Sequence, residues 1–249
     1  MTISIIESIN LTGVRIHSLS RAELNAQINN LVGTDGKHIV SNVNIHGMNI
    51  ASKNDHHRQF LNDATINFCD GDGVRLTARL FGKKIVEKIT YNRWIWDLAA
   101  LSQTNGHSWY MLGSTEKSIT QAVNVLEKKY PQLHITGYRN GYINNEDERQ
   151  NTINQINKCA PDILIVGMGM PIQEQFLIKN SKHLMYKVAL TAGAAFDYIS
   201  GKAKMTPSLY KKLKLEWFYR LMNEPNRLAK RYLIGNPAFV LRVFKDELL

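Results

Sequence analysis

Apolar and polar positions along the chain alternate in short β-rich runs separated by helical stretches. The runs are "HIVSNVN" (38–44), "INFC" (66–69), "SWYML" (108–112), "HITGY" (134–138), "DILIVG" (162–167) and "KVALTA" (187–192). Helical spacing of apolar residues fills 21–32, 55–64, 73–81, 92–104, 115–129, 146–159 and 172–180. Strands alternating with helices of this length predict βαβ units and a mostly parallel sheet flanked by helices. "LTGVRIHSL" (11–19) reads as one extra strand at the sheet edge. After Gly201 the alternation stops, and the rest reads as two or three helices broken by Pro225 and Pro237. The expected organisation is an α/β domain over 1–201 and a basic helical C-terminal appendage over 202–249.

Ligands of open parallel sheets bind beyond the carboxyl ends of the strands. Four polar or glycine-bearing sequences stand at such ends: "SNVN", "DGDG", "GMGMPIQE" and "AGAAFD". Four in one chain favour a shared site. In "DILIVGMGMPIQEQF" (162–176) two glycines close an apolar run and Pro171 opens a helix. A dinucleotide fingerprint needs a third glycine where Ile172 stands, and a P-loop needs a lysine that does not follow. What remains is a turn at Gly167 and Gly169, whose bare backbone admits a ligand, before a helix N-terminus that favours anions. An ordinary tight βα turn has the same pattern. Gln173 and Glu174 fall in the first helical turn. An acid there suits the helix dipole, and the pair also suits hydrogen bonding to a sugar or nucleobase. Asp70, between a strand and a helix, is either a helix cap or a general base at the mouth of the site. Asp70-Gly71-Asp72 also matches the Asp-x-Asp pattern by which many nucleotide-sugar transferases hold a divalent metal.

The chain has 249 residues, 44% hydrophobic and 21% charged, the composition of a folded protein with a sizeable core. No apolar run approaches the roughly 20 residues of a membrane span. The opening "MTISIIESINLTG" lacks the basic and apolar regions expected of a signal peptide. Cys69 and Cys159, far apart in apolar surroundings, read as buried thiols of a reducing compartment. The eight histidines show no metal spacing, and the adjacent His56 and His57 read as surface residues. Net charge is +10 and uneven: 202–249 hold 11 Lys and Arg against 4 Asp and Glu. A tail this basic calls for an anionic partner, whether phosphate, nucleic acid or an acidic membrane surface. Arg220 and Arg227, about two helical turns apart, share a face if the helix survives Pro225, and Lys230 and Arg231 follow. The interleaved Trp217, Phe218, Tyr219, Tyr232 and Phe239 suit docking onto the protein body or a membrane interface.

In that order, "DGDGV", "VGMGMPIQEQF", "AGAAFDYISG" and "LEWFYRLMNEPNRLAKRY" resemble the WecG/TagA/CpsF family of bacterial glycosyltransferases over nearly the whole chain. The resemblance implies a Rossmann-like α/β fold and an inverting transfer that uses no metal or cofactor. It implies a UDP-sugar donor carrying N-acetylmannosamine, its uronate or a hexose. The implied acceptor is a sugar on undecaprenyl diphosphate, and the implied process is cell-surface polysaccharide synthesis. Asp70 takes the place of the family's proposed base. Donor-binding positions fall on Asn42 and Asn44 (Asn42 where the family has Thr), Gln173, Arg220 and Arg227, with Lys230 in place of a further Arg. Lys88, Gly167, Gly169 and Glu174 complete the expected donor site. The family's Arg-Val-x-Gly-x-Asp segment reads "KITYNR" (88–93): Lys88 replaces Arg, Tyr91 replaces Gly and Arg93 replaces Asp, which leaves the sugar open. Asp72 lies outside the pattern, which argues against a metal. The expected partners are the UDP-sugar, the polyprenyl-linked acceptor and an anionic membrane surface. Nucleic acid is not expected, and a homo-oligomer is left open. The implied location is the cytoplasm, peripheral on the inner face of the plasma membrane. The rival is a non-catalytic nucleic-acid-binding module using the basic tail, which needs no Asp70.

Overall fold

The structure, a computed structural model, describes residues 6–207, 210 and 215–248, apart from the side chain of Arg227. The strands are β1 (Ser8–Leu11), β2 (Val14–His17), β3 (His38–Val43), β4 (Ile66–Cys69), β5 (Ser108–Gly113), β6 (His134–Arg139), β7 (Ile163–Gly167) and β8 (Val188–Thr191). Among the described residues they form one sheet in the order β1-β2-β4-β3-β8-β7-β5-β6. Every neighbouring pair is parallel except β1 and β2. The fold is therefore α/β with a mostly parallel sheet, as the alternation predicts. The single edge strand expected over 11–19 is instead part of an antiparallel hairpin. Thr12 and Gly13 both take positive φ and reverse the chain there, a turn that Gly13 makes without strain.

The central strands are covered on both faces, so they read as continuous apolar runs. In β7, Ile163 and Ile165 pack into one core while Leu164 and Val166 pack into the other. The first core receives α1 (Arg21–Val32), α5 (Tyr91–Asn105) and α6 (Glu116–Lys129) through residues such as Ile28, Trp94 and Leu126. The second receives α2 (Ile45–Ala51), α3 (Asp55–Asp63), α4 (Asp72–Leu80), α7 (Glu146–Cys159) and α8 (Ile172–Asn180). α1, α7 and α8 have the bounds that the periodicity predicts. Their ends are chemically marked at α1, where Ser20 and Glu23 form a capping box, and at α7, where Asn145 caps the Glu148 N–H. α2 and α9 (Ala195–Ile199) escape the pattern because they are too short to show a helical period. Two histidine and cysteine expectations need correction. His57 is buried, and burial pushes its imidazole down to about 4, while only His56 is exposed. Cys69 is buried but Cys159 is only half-buried.

The tail docks on this body. Its helices are Glu216–Asn223 and Pro225–Ala229, then a π-helical turn over Lys230–Gly235 and a last helix over Asn236–Leu248. Pro225 starts a helix, where a missing N–H costs nothing. Pro237 does not break the tail as expected, because it stands in the opening turn of the last helix. Leu228, Phe239 and Val243 are fully buried, so the tail shares the protein's core. Lys83 Nζ donates to Glu247 at 2.5 Å and fastens the end of the last helix.

β3 is continued outward by β4 and β2, and β8 by β7, β5 and β6 in the other direction. β3 and β8 lie side by side in the middle of the sheet, and ligands of such sheets bind beyond the carboxyl ends of the strands.

Candidate functional site

Asn42 and Asn44 at the end of β3, Asp70 after β4, Gly169 after β7 and Gly193 after β8 surround one cavity of about 360 Å³. The tail closes it with Glu216, Arg220 and Arg231. The four strand-end sequences thus converge, as their placement predicts. The Asp70 N–H donates to the Val43 carbonyl at 2.8 Å, and the Ile89 N–H donates to the Cys69 carbonyl at 3.0 Å. These bonds hold the backbone on either side of the Asp70 carboxyl. The cap position of α4 is taken by Gly71 at φ +128°, with no side-chain cap bond. Asp70 is therefore not the cap, and its carboxyl is left to the cavity.

Burial raises the Asp70 pKa above the usual carboxylate range. Arg220, Arg231 and Lys88 oppose that rise, as does a hydrogen bond from Asn44. Arg220 shows the reverse balance: burial disfavours its charge, yet Tyr198, Tyr232, Asp70 and Glu224 together leave its pKa raised. Asn44 caps α2 by accepting from the N–H groups of His46 and Gly47, and it also accepts from Arg231 Nη2 at 3.0 Å. The cavity thus pairs one desolvated carboxylate with guanidinium groups brought by the tail.

Asp72 is occupied otherwise. Its carboxylate accepts from Lys88 Nζ at 2.6 Å and from Arg75 at 3.3 Å. Among the described residues, no three His, Cys, Asp or Glu side chains gather as a metal set. Glu216, at the start of the first tail helix, lies 3.7 Å from Lys88 and 3.6 Å from Arg93. The segment 88–93 thus pairs ionically with the start of the tail.

Several buried polar atoms on cavity-lining residues lack any partner: Asn42 Oδ1, Tyr91 OH, Asn92 Oδ1 and Arg220 Nε. Folded proteins rarely leave such atoms unpaired, and their clustering here marks a place built for a polar ligand.

The other predicted residues are placed as follows. Gln173 and Glu174 are fully buried behind the glycine loops and do not line the cavity. Gln173 Oε1 accepts from the N–H groups of Gly169 at 3.2 Å and Gly193 at 2.9 Å, while its Nε2 donates to Glu174 Oε1 at 2.7 Å. Burial pushes the Glu174 carboxyl up to about 7, and its Oε2 has no partner. Gly167 is required by packing, since a Cβ there would meet the Phe196 ring at 2.7 Å. It lines a second cavity of about 500 Å³ that shares Gly169, Gly193, Tyr198 and Arg220 with the first. Lys88 acts on Asp70 electrostatically. Lys230 is exposed and lines neither cavity. The side chain of Arg227 lies outside the described residues, as do Lys211, Lys212 and Lys214.

Sequence reasoning missed Arg231 as a site residue. The signal was present, because the 11 residues from Arg220 to Arg231 make about three helical turns. It also missed Asn92 and Tyr198, which no local pattern distinguishes from core or loop positions. No helix among the described residues is long and apolar enough to cross a membrane. The tail nevertheless exposes Trp217, Met222, Leu233, Ile234, Leu241 and Leu248.

The chain matches the family described as "Glycosyl transferase WecG/TagA/CpsF family" over residues 9–249. It is 30% identical over 210 residues to a protein of Bacillus subtilis (strain 168), covering 84% of this chain and 80% of that one. That protein is named N-acetylglucosaminyldiphosphoundecaprenol N-acetyl-beta-D-mannosaminyltransferase. A Staphylococcus aureus (strain MW2) protein of the same name is 24% identical over 200 residues, covering 80% of this chain and 77% of its own. With this match over almost its full length, the chain is a glycosyltransferase and belongs to the WecG/TagA/CpsF family.

Proposed function

We propose that this enzyme transfers N-acetylmannosamine from a UDP-linked donor to N-acetylglucosamine carried on undecaprenyl diphosphate, in cell-surface polymer synthesis. The relatives' shared name supports both sugars and the lipid. The observation that carries the chemistry is the Asp70 carboxyl in a cavity at the carboxyl ends of the strands, faced by Arg220 and Arg231.

Asp70 accepts the proton of the acceptor hydroxyl as that oxygen attacks the anomeric carbon. The bond from the anomeric carbon to the diphosphate oxygen breaks, and UDP departs with a new negative charge. Arg220, Arg231 and Lys88 meet that charge from fixed positions, which is the largest contribution a preorganised site can make. Desolvation makes Asp70 a stronger base than a free carboxylate, and Arg220, Arg231 and Lys88 oppose part of that rise. Attack from the face opposite the leaving group inverts the anomeric centre. This use of the tail's cations also favours a transferase over the nucleic-acid rival, whose cations would lie spread on an outer face.

The acceptor lipid stays in the bilayer, so the enzyme works at the membrane surface. Exposed apolar residues of the tail and its excess of cations suit that position. The test is a donor screen with N-acetylglucosamine on a short-chain lipid diphosphate, scored for UDP release and product anomer. Release with UDP-N-acetylmannosamine that Asp70→Asn abolishes supports the reading. No UDP release from any UDP-sugar, or a retained anomer, overturns it.

A further inference from the structure

We propose that Gln173 is a positioning residue: it clasps the loops after β7 and β8 through the backbone of Gly169 and Gly193 and makes no contact with substrate. The inference deepens the proposed reaction but rests on it only for the kinetic readout.

β7 and β8 pair as far as Val166 and Thr191, and the Ala192 N–H closes the ladder on the Val166 carbonyl at 2.7 Å. Beyond that point the two loops have no strand pairing to hold them. Both then take left-handed turns, at Gly169 (φ +81°) and Gly193 (φ +56°), and both line the cavity that Asp70 lines. The Gln173 carbonyl oxygen replaces the missing ladder, since it accepts one N–H from each loop. The Gln173 main-chain N–H also donates to the Gly169 carbonyl at 3.1 Å, so Gly169 is bracketed from both sides.

The side chain has little left to offer a ligand. An amide oxygen has two lone pairs, and both are used. One hydrogen of its Nε2 is committed to Glu174, and the residue is sealed from solvent. The clasp needs an acceptor oxygen at this reach, and the Nε2 bond to Glu174 orients it. A shorter amide cannot span to both loops, whereas a carboxylate of the same length keeps the acceptor and loses only the donor to Glu174. The loops also carry Met170, Ala194 and Ala195, which wall the same cavity. Fixing two backbone atoms thereby sets one side of the space available to the sugar.

The test is amide hydrogen exchange on the full-length enzyme without ligand, comparing wild type with Gln173→Met, which keeps volume and removes the acceptor. Exchange at Gly169 and Gly193 is expected to rise on the order of tenfold or more, with α6 unchanged. In parallel, KM for the donor rises while the pH dependence set by Asp70 stays in place. Unchanged exchange in both loops overturns the proposal, whatever happens to turnover. Gln173→Glu, measured near pH 6, keeps an acceptor in the same place and is expected to retain most of the protection. Equal loss of protection in the Glu and Met variants also overturns it. If Gln173→Met fails to fold, the Glu variant carries the test: retained protection supports the clasp and lost protection refutes it. Because exchange is read without substrate, the clasp and the proposed reaction fail independently.

Discussion

Arg231 donates a hydrogen bond to the side-chain oxygen of Asn44 at 3.0 Å, joining the far end of the chain to the turn after β3. The same guanidinium lowers the pKa of Asp70. Arg231→Met removes that influence, so the Asp70 pKa rises further. The ionised base is then lost at higher pH, and the acid limb of the kcat/KM profile moves upward. The donor KM is expected to rise on the order of tenfold, as for a lost charge-assisted bond. Lys230→Met, at an exposed position, should change neither by more than about twofold. Equal effects from the two substitutions would contradict this arrangement.

Asp70→Asn is expected to keep the fold and lose about 10²–10⁴-fold in turnover. The amide holds the volume of the carboxyl but cannot take the acceptor's proton. UDP release at saturating substrates, alongside an unchanged thermal melt, checks both halves of the statement. Near wild-type turnover would remove Asp70 from its role.

Much of this site was legible in the chain. The polar ends of four strand-like runs marked Asn42, Asn44, Asp70 and Gly169 correctly as neighbours, because a parallel sheet gathers such ends on one edge. Three helices matched to the residue, and two of them, α1 and α7, have side-chain caps that mark their starts. What stayed hidden depended on tertiary contacts. Gln173 and Glu174 read as first-turn residues suited to a sugar or nucleobase, and only their burial and the bonds of Gln173 to Gly169 and Gly193 show that they face inward. The Thr12-Gly13 turn was masked by apolar residues on both sides. Arg231 was overshadowed by Lys230 because one residue along a helix turns a side chain by about 100°.

Glu174 makes stability depend on pH. Its folded pKa, about 7, lies above the unfolded 4.5. The stability tied to its proton is fully present below pH 4.5 and is lost as pH rises through 7. The loss is of order 3 kcal/mol, from the size of the shift. Glu174→Gln has no such titration. Its Tm relative to wild type should therefore increase between pH 5 and pH 8, and a gap independent of pH would refute the assignment.

Glu216 couples the tail to the body through Lys88 and Arg93. The pairs are partly exposed, so each is worth little to global stability. In turnover they matter more, because Arg220 lies one helical turn beyond Glu216. A double-mutant cycle of Glu216→Gln and Arg93→Ala should show a coupling in kcat/KM of about 0.5–1 kcal/mol. Strict additivity would show that the pair does not seat the tail.

Leu233, Ile234, Leu241 and Leu248 are exposed on the tail, away from the cavity lining. Changing Leu241 and Leu248 to Ser is expected to reduce flotation with anionic liposomes. Turnover on a soluble short-chain acceptor should stay within about twofold. Undiminished flotation would rule out this face as the membrane contact.

Among the described residues β8 is the last strand, yet it occupies the middle of the sheet, between β3 and β7. During synthesis the earlier strands can form only two separate half-sheets, each with an open edge awaiting the same four residues, Val188–Thr191. A nascent chain stopped short of Val188 has its unpaired edges at its centre, where an aggregation-prone surface is usually avoided. The same late strand brings Gly193 to the reaction cavity, and the helices carrying Arg220 and Arg231 leave the ribosome later still. Closure of the sheet and arrival of Arg220 and Arg231 at the cavity therefore both wait on residues beyond Val188, so a product terminated before them lacks both.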